Sequence, residues 1–376
     1  MKTKIFRNRF VSLGVCRVAV LTGLMSAFAL YLAPCMEGQD VSANAKNHRG
    51  TIVTFDAPGA LNALGAGTVA LSINPAGEIT GFYTDTNYEW HGFLRARDGT
   101  LTTFDPPGSV QTAPAGINPA GEIAGLYLEL NGIAHGFRRA HDGTFTTFDL
   151  PAGTFPSSIP PVLSINPARA ITSSFCDAFG CHSFLRSPGG TFTAFDAPLA
   201  SDTFASSINP AGVIAGYSVV VTFPPFSITF HGFLRARDGT ITTFDVPGAS
   251  DTFGNSINPA GVIAGFYYDA SDVAHGYLRA RDGAITTFDV PGAGTGPFQG
   301  TGLFGVAINP AGTIAGDYVD ASNVSHGFLR AADGSISTFD PTGSVFTSPA
   351  SINPAAERAG SYTDANGASH GFVRIP

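Results

Sequence analysis

Seven histidines carry the most suggestive chemistry in the chain. His91, His135, His182, His231, His275 and His326 each stand 14 residues ahead of an aspartate, respectively Asp105, Asp149, Asp196, Asp245, Asp289 and Asp340, and His370 ends the series. An imidazole beside a carboxylate is the pair that moves protons in acid–base catalysis. A catalytic centre, however, is built once, and this pair is written over and over at unchanged spacing. It reads as a structural hydrogen bond that pins an outer hairpin, repeated because its host unit repeats.

Other candidates thin out in the same way. Asp85, Asp177, Asp269, Asp320 and Asp364 are often followed by Asn or Ser two residues on. Calcium needs about six oxygens, more than one such loop offers, whereas an Asx turn needs only this pattern. HExxH, P-loop and EF-hand motifs are absent from the sequence. Gly292 to Gly302 is glycine-rich, but no helix pattern follows it, so it is a loop and not a dinucleotide cradle. The sequence therefore assigns no catalytic residue, no metal ligand and no cofactor.

Of four cysteines, Cys16 and Cys35 fall in an N-terminal segment unlike the rest. Cys176 and Cys181 enclose Asp-Ala-Phe-Gly, which is no CxxC pattern but places two thiols across a short hairpin. A disulfide there requires an oxidising compartment. Residues 1–45 agree: Lys2, Lys4, Arg7, Arg9 and Arg17 precede an apolar run from Val18 to Ala33, which is the shape of an export signal. Cleavage after Ala45 or near Ala33 gives a secreted, extracellular or periplasmic chain; retention gives an N-terminal anchor. Leu32-Ala33-Pro34-Cys35 fits a lipidation box poorly. Without residues 1–45 the formal charge moves from -8 to -11, and all three lysines lie at or before residue 46. A body so poor in cations has nothing with which to displace counterions from a phosphate backbone, so nucleic acid is excluded as a partner. The anchor is the only membrane contact expected, and the chain reads as a monomer.

The elements that must position these residues follow from the repeat. Ile-Asn-Pro occurs at Ile73, Ile117, Ile165, Ile208, Ile257, Ile308 and Ile352, and Phe-Asp at Phe55, Phe104, Phe148, Phe195, Phe244, Phe288 and Phe339. With the histidines this makes seven units of 43 to 51 residues, the period of a four-stranded propeller blade. Strand a ends in Ser-Ile-Asn, Pro-Ala-Gly turns the chain, and strand b follows, as in Val262-Ile-Ala-Gly-Phe-Tyr. His275-Gly-Tyr-Leu-Arg is a strand c, the Asp282-Gly283 turn closes a hairpin, and Ile285-Thr-Thr-Phe-Asp is a strand d. Gly and Pro, at 46 and 26 residues, suit many turns, and 31 Phe suit a sizeable core. The body opens on a lone strand d at Thr51 and closes on a lone strand c at His370. The expected fold is thus all-β: a seven-bladed β-propeller over residues 46–376, closed by one N-terminal and three C-terminal strands.

Length variation is one-sided. His to Phe across the c–d turn is 13 residues in all six complete copies, and Ile to the strand b Gly or Ser is always eight. The d–a connection is 13 residues in four copies but 18 from Phe55, 17 from Phe148 and 20 from Phe288, and the fourth b–c loop carries Val219 to Phe230. Both variable connections emerge on one face, and insertions gathered on one face of an array mark a binding face. Phe223, Phe226 and Phe230 of the fourth b–c loop, with Phe298 and Gln299 of the longest d–a loop, are the candidate binding residues. The three phenylalanines of the insertion have two readings, a sugar or protein contact and a cap folded down over the ring.

Ile-Asn-Pro-Ala-Gly-x-Ile-Ala-Gly followed by His-Gly-Phe-Leu-Arg resembles the bacterial extracellular repeat family named for its His-Ala-Phe (HAF) motif, with Gly in the middle position, as at His91-Gly-Phe and His326-Gly-Phe. The resemblance covers residues 51–376 and implies export and a repeated β architecture, but no reaction. Thr-Thr-Phe-Asp-x-Pro-Gly is similar to strands of the streptogramin-lyase type, whose catalytic residues have no match here. The expected function is a non-catalytic binding module for a glycan or another surface protein, acting through the b–c and d–a face. The alternative is a lyase or hydrolase with an asymmetric site on that face or at the channel mouth, which requires a polar cluster confined to a few repeats. No such cluster stands out from the sequence.

Overall fold

The computed structural model describes residues 50–151, 155–156 and 162–376. Residues 1–45, read above as an export signal, lie outside them. Among the described residues there is no helix, and the chain is built of four-stranded antiparallel blades. In repeat 5, strand a (Asp251–Ile257), strand b (Ile263–Tyr268), strand c (Ala274–Arg279) and strand d (Ile285–Phe288) pair in chain order. Repeats 1, 2 and 4 form separate sheets of the same order; in repeat 3 strand a is split into two short pieces. Repeats 5, 6 and 7 count as one sheet only because single parallel bridges, Ala274 to Gly300 and Ser325 to Phe346, join strand c of one to strand a of the next. A third bridge of the same kind joins Ser369 of repeat 7 to Gly67 of repeat 1. Strand d of repeat 7 is Thr51–Phe55, which pairs antiparallel with Ser369–Ile375 from the other end of the chain.

Each blade is held by the same few residue types. Strand b opens on Ile, fully buried at Ile79, Ile123, Ile171, Ile214, Ile263 and Ile314, and strand c contributes an equally buried ring at Phe93, Phe137, Phe184, Phe233, Tyr277, Phe328 and Phe372. Full burial of such a side chain contributes about 1.5–3 kcal/mol. The Gly between His and Phe lies under the strand d ring: a Cβ at Gly232 would sit 2.6 Å from the Phe244 ring. Glycine covered by a cross-strand aromatic is a recurrent way to fill that space.

Two ladders run from blade to blade. The strand c guanidiniums stand over the strand d rings of the preceding repeat, from Arg95 over Phe55 at 4.9 Å to Arg374 over Phe339 at 4.8 Å. The Asn of each Ile-Asn-Pro turn accepts amide hydrogens within its own turn, as Asn258 Oδ1 does from Val262. Its Nδ2 donates to the backbone carbonyl of the corresponding Asn in the next repeat. The series runs Asn74, Asn118, Asn166, Asn209, Asn258, Asn309 and Asn353, and the last bond returns from Asn353 to Asn74 at 3.3 Å.

Candidate functional site

The histidine–aspartate pairs form as spaced. Nδ1 lies 2.7 to 2.9 Å from the strand d carboxylate in all six pairs read from the spacing. His370 completes the series across the chain ends with Asp56, at 2.9 Å. In most repeats Nε2 points at the carboxylate of the b–c loop, 3.5 Å away for His275 and Asp269. Strand b rings pack beside the imidazoles, as Tyr267 beside His275 with centroids 5.0 Å apart. The loop aspartates cap turns: Asp269 Oδ1 accepts from Ser271 and Val273. Cys176 and Cys181 are disulfide-bonded at facing positions of their hairpin.

The residues singled out for binding part company. Phe230 is buried at 9% exposure against Phe253. Phe223 and Phe226 are 73% and 51% exposed at the loop tip, their rings 5.1 Å apart. Phe298 is 42% exposed beside Tyr268. Gln299 spends its amide inside the protein, accepting from Gly296 and donating to Ala321 and Asn323. The structure brings these residues into no common cleft with converging polar groups.

The polar cluster that sequence reading did not pick out lies on the opposite rim, at the fixed-length a–b and c–d turns. The residue opening the approach to strand b is Ala170, Val213, Val262 or Thr313 in repeats 3 to 6 but Glu357, Glu78 and Glu122 in repeats 7, 1 and 2. The ring Asn of each of those repeats turns Nδ2 onto its own glutamate: Asn353 to Glu357 at 2.6 Å, Asn74 to Glu78 at 2.6 Å and Asn118 to Glu122 at 2.9 Å. The carboxylates therefore stand against the inner circle of asparagines.

Each carboxylate also reaches over a seam. Glu357 pairs with Arg97 of repeat 1 at 2.9 Å, and Glu78 lies 3.9 Å from His141 of repeat 2. Glu122 holds Arg138 at 3.2 Å and Arg169 of repeat 3 at 3.0 Å. The Glu357 and Glu122 side chains are 7% and 6% exposed and Glu78 19%, while Arg97 and Arg169 stay mostly in solvent. Three further departures from the repeat surround them. Arg138 replaces a strand c Leu, Arg169 replaces a turn Gly, and Arg358 replaces the core Ile. Arg169 keeps the positive φ of the glycine it replaces, at 71°, a conformation that stores strain for a side-chain-bearing residue. Arg358 is 2% exposed; burial, with Arg374 beside it, lowers its guanidinium to about 10.

Asp85, Glu89 and His91 at the first b–c loop are, among the described residues, the one trio whose ligand atoms lie within 4.8 Å of one another. Two carboxylates and one imidazole are few for a hard cation, and the site is half-open.

No protein-family model matches this sequence, and no curated protein matches it. Solved structures do. The β-propeller domain of the Trilobed protease from Pyrococcus furiosus, described as having an open velcro topology, aligns with TM-score 0.57 at 9% identity over 81% of this chain and 95% of that one. A puromycin hydrolase aligns at 0.53 with 13% identity, over 82% of this chain and 52% of that one. Pyrococcus horikoshii acylaminoacyl peptidase aligns at 0.54 with 10% identity, over 79% and 49%. This chain has a propeller fold. It spans about half the length of the latter two proteins. These likenesses overturn the expectation of a non-catalytic binding module on the b–c and d–a face: the matching propellers are those of peptidase-type proteins. An asymmetric polar cluster, the feature the alternative requires, is present, but on the rim opposite the face where the alternative was expected.

Proposed function

We propose that the chain is a hydrolase-type propeller whose seven blades close into a ring and whose site lies at the channel mouth on the a–b and c–d rim. One observation carries the reading. Five departures from the repeat, at Glu78, Glu122, Arg138, Arg169 and Glu357, fall in adjoining blades, and each forms an ion pair within its blade or over the seam to the next. A repeat that needed them structurally would carry them in every blade. The circle of asparagine bonds and the Ser369 to Gly67 bridge support the ring.

Glu78 is the carboxylate least neutralised by its neighbours, with an imidazole at 3.9 Å in place of a guanidinium. It is the general base in this reading: it accepts a proton from water as the water oxygen attacks an ester, amide or glycosidic carbon. His141, 72% exposed, hands a proton to the leaving atom. Arg97 and Arg169, pinned by buried glutamates, orient a polar substrate. The disulfide supports work in an oxidising compartment outside the cytoplasm.

The test is turnover of chromogenic ester, amide and glycoside panels by the intact chain, with Glu78→Gln as control. Loss of a general base lowers the rate by about 10²–10⁴, so kcat/KM should fall in that range while the melting temperature stays. No turnover on any panel, or unchanged kcat/KM in Glu78→Gln, refutes the assignment.

A further inference from the structure

Repeat 6 differs from its neighbours at the inner strand. Strand a, Gly300–Ile308, pairs normally with strand b, Ile314–Val319, up to Thr301 and again from Val306, and between them four residues bulge out. The bulge, Gly302-Leu303-Phe304-Gly305, has a glycine at positive φ at each end, 82° and 121°. Opposite it, strand b carries Asp317 where other repeats have Phe82, Leu126, Tyr217 and Phe266 or a serine. Asp317 is 1% exposed, and both its oxygens accept from the Phe304 amide, at 3.1 and 3.3 Å.

The closed bulge is stitched together by weak pieces. Phe304 is 42% exposed and leans on Phe346 of repeat 7, with centroids 5.0 Å apart. At the far end Gly305 lies by the Asn255 amide of repeat 5, and Asn255 Oδ1 is buried without a hydrogen-bond partner. A buried acid with no cation and a buried carbonyl with no donor both gain if water enters.

Charged groups around Asp317 are sparse. Strand a of repeat 6 and strand a of repeat 7 carry none. Strand c, Ser325–Arg330, carries His326 and Arg330, which are committed to Asp340 and to the Phe288 ring. Repeat 5 contributes Tyr268 and Asp251, and Asp317 is among the groups that raise the Tyr268 hydroxyl.

We propose that Gly302–Gly305 is a flap on the inner wall of the propeller, latched while Asp317 is protonated and released when it ionises. With no cation at hand, the carboxylate can be hydrated only if the four-residue segment swings on its glycines, freeing Phe304 from Phe346 and opening Asn255 to water. Burial pushes the Asp317 carboxyl up to about 8, which places the release in the mildly alkaline range. The sign follows from linkage. The folded state holds a proton that the unfolded chain has lost above its ordinary carboxylate pKa, so stability declines from there up to about pH 8 and levels off beyond.

A tryptophan at position 304 reports on the flap, with the parent protein giving the background from Trp90. In Phe304→Trp, acrylamide quenching of the added indole should rise at least twofold between pH 6 and pH 10, with a midpoint near 8. In Phe304→Trp with Asp317→Asn it should stay flat. Asp317→Ser, the residue that repeats 3 and 7 carry as Ser174 and Ser361, serves if the Asn variant does not fold. The melting temperature of the wild type should fall between pH 6 and about pH 8 and hold beyond, and that of either Asp317 variant should show no such fall. Quenching that is flat with Asp317 present, or a midpoint that survives its replacement, overturns the latch.

Discussion

Arg358 is the residue at which the repeat pattern and its local chemistry collide. Six repeats bury an isoleucine there, and the seventh buries a guanidinium at 2% exposure over the Phe339 ring. Its Nη1 donates to the Ala356 carbonyl, and its Nε has no partner. A charge so placed costs more in lost hydration than one carbonyl returns, and apolar replacement of buried charges is often stabilising. Arg358→Ile should therefore raise the stability of the chain by roughly 1–3 kcal/mol in thermal or urea unfolding. An Arg358→Ile protein that melts lower would mean that the guanidinium is compensated by groups beyond those described.

At the level of the strand, the small residue of strand b is fixed by closeness of backbone. A Cβ at Gly216 would stand 2.1 Å from the Phe204 carbonyl oxygen and 2.7 Å from the Phe233 ring. Gly216→Ala should cost at least about 2 kcal/mol, since neither backbone nor a fully buried ring can yield; unchanged denaturant midpoint would show that the two strands can part. That glycine was legible in the sequence because its spacing never varies, as were the hairpins, the asparagine turns and the histidine pairs. The glutamate arc was not. Loop length drew attention to the variable rim, where exposed apolar side chains such as Leu64, Phe179, Leu199 and Phe223 gather. On the fixed-length rim the signal was residue identity alone. Glu78 and Glu122 recur at the repeat spacing, but Glu357 lies at the far end of the chain and becomes their neighbour only when Arg97 bonds to it. Asp317 could be seen as one polar residue at an apolar position, yet its meaning depends on the four-residue bulge opposite, which counts in sequence only as a longer loop.

For the whole molecule, the decisive feature is the join between Thr51–Phe55 and Ser369–Ile375. Thr51 faces Ile375, His370 bonds Asp56, and Asn353 bonds Asn74, so this seam repeats the contacts of every other one. A seam equal to the rest makes the place of the chain ends arbitrary. A permuted chain, with Pro376 linked through a few glycines to Gly50 and new ends between Asp282 and Gly283, should fold to the same far-UV circular dichroism and melt within several degrees of the parent; a chain lacking 50–56 should not. The larger consequence concerns time. Loop-closure entropy is met before distant contacts reward it, so pairs far apart in sequence form late. In the natural order the meeting of the two ends should come last, and until then Glu357 lacks Arg97 and the glutamate arc is incomplete. Moving the ends moves that event. In the permuted chain the slow phase of refolding should shift to the interrupted c–d hairpin of repeat 5, and the arc should assemble early, ahead of ring closure.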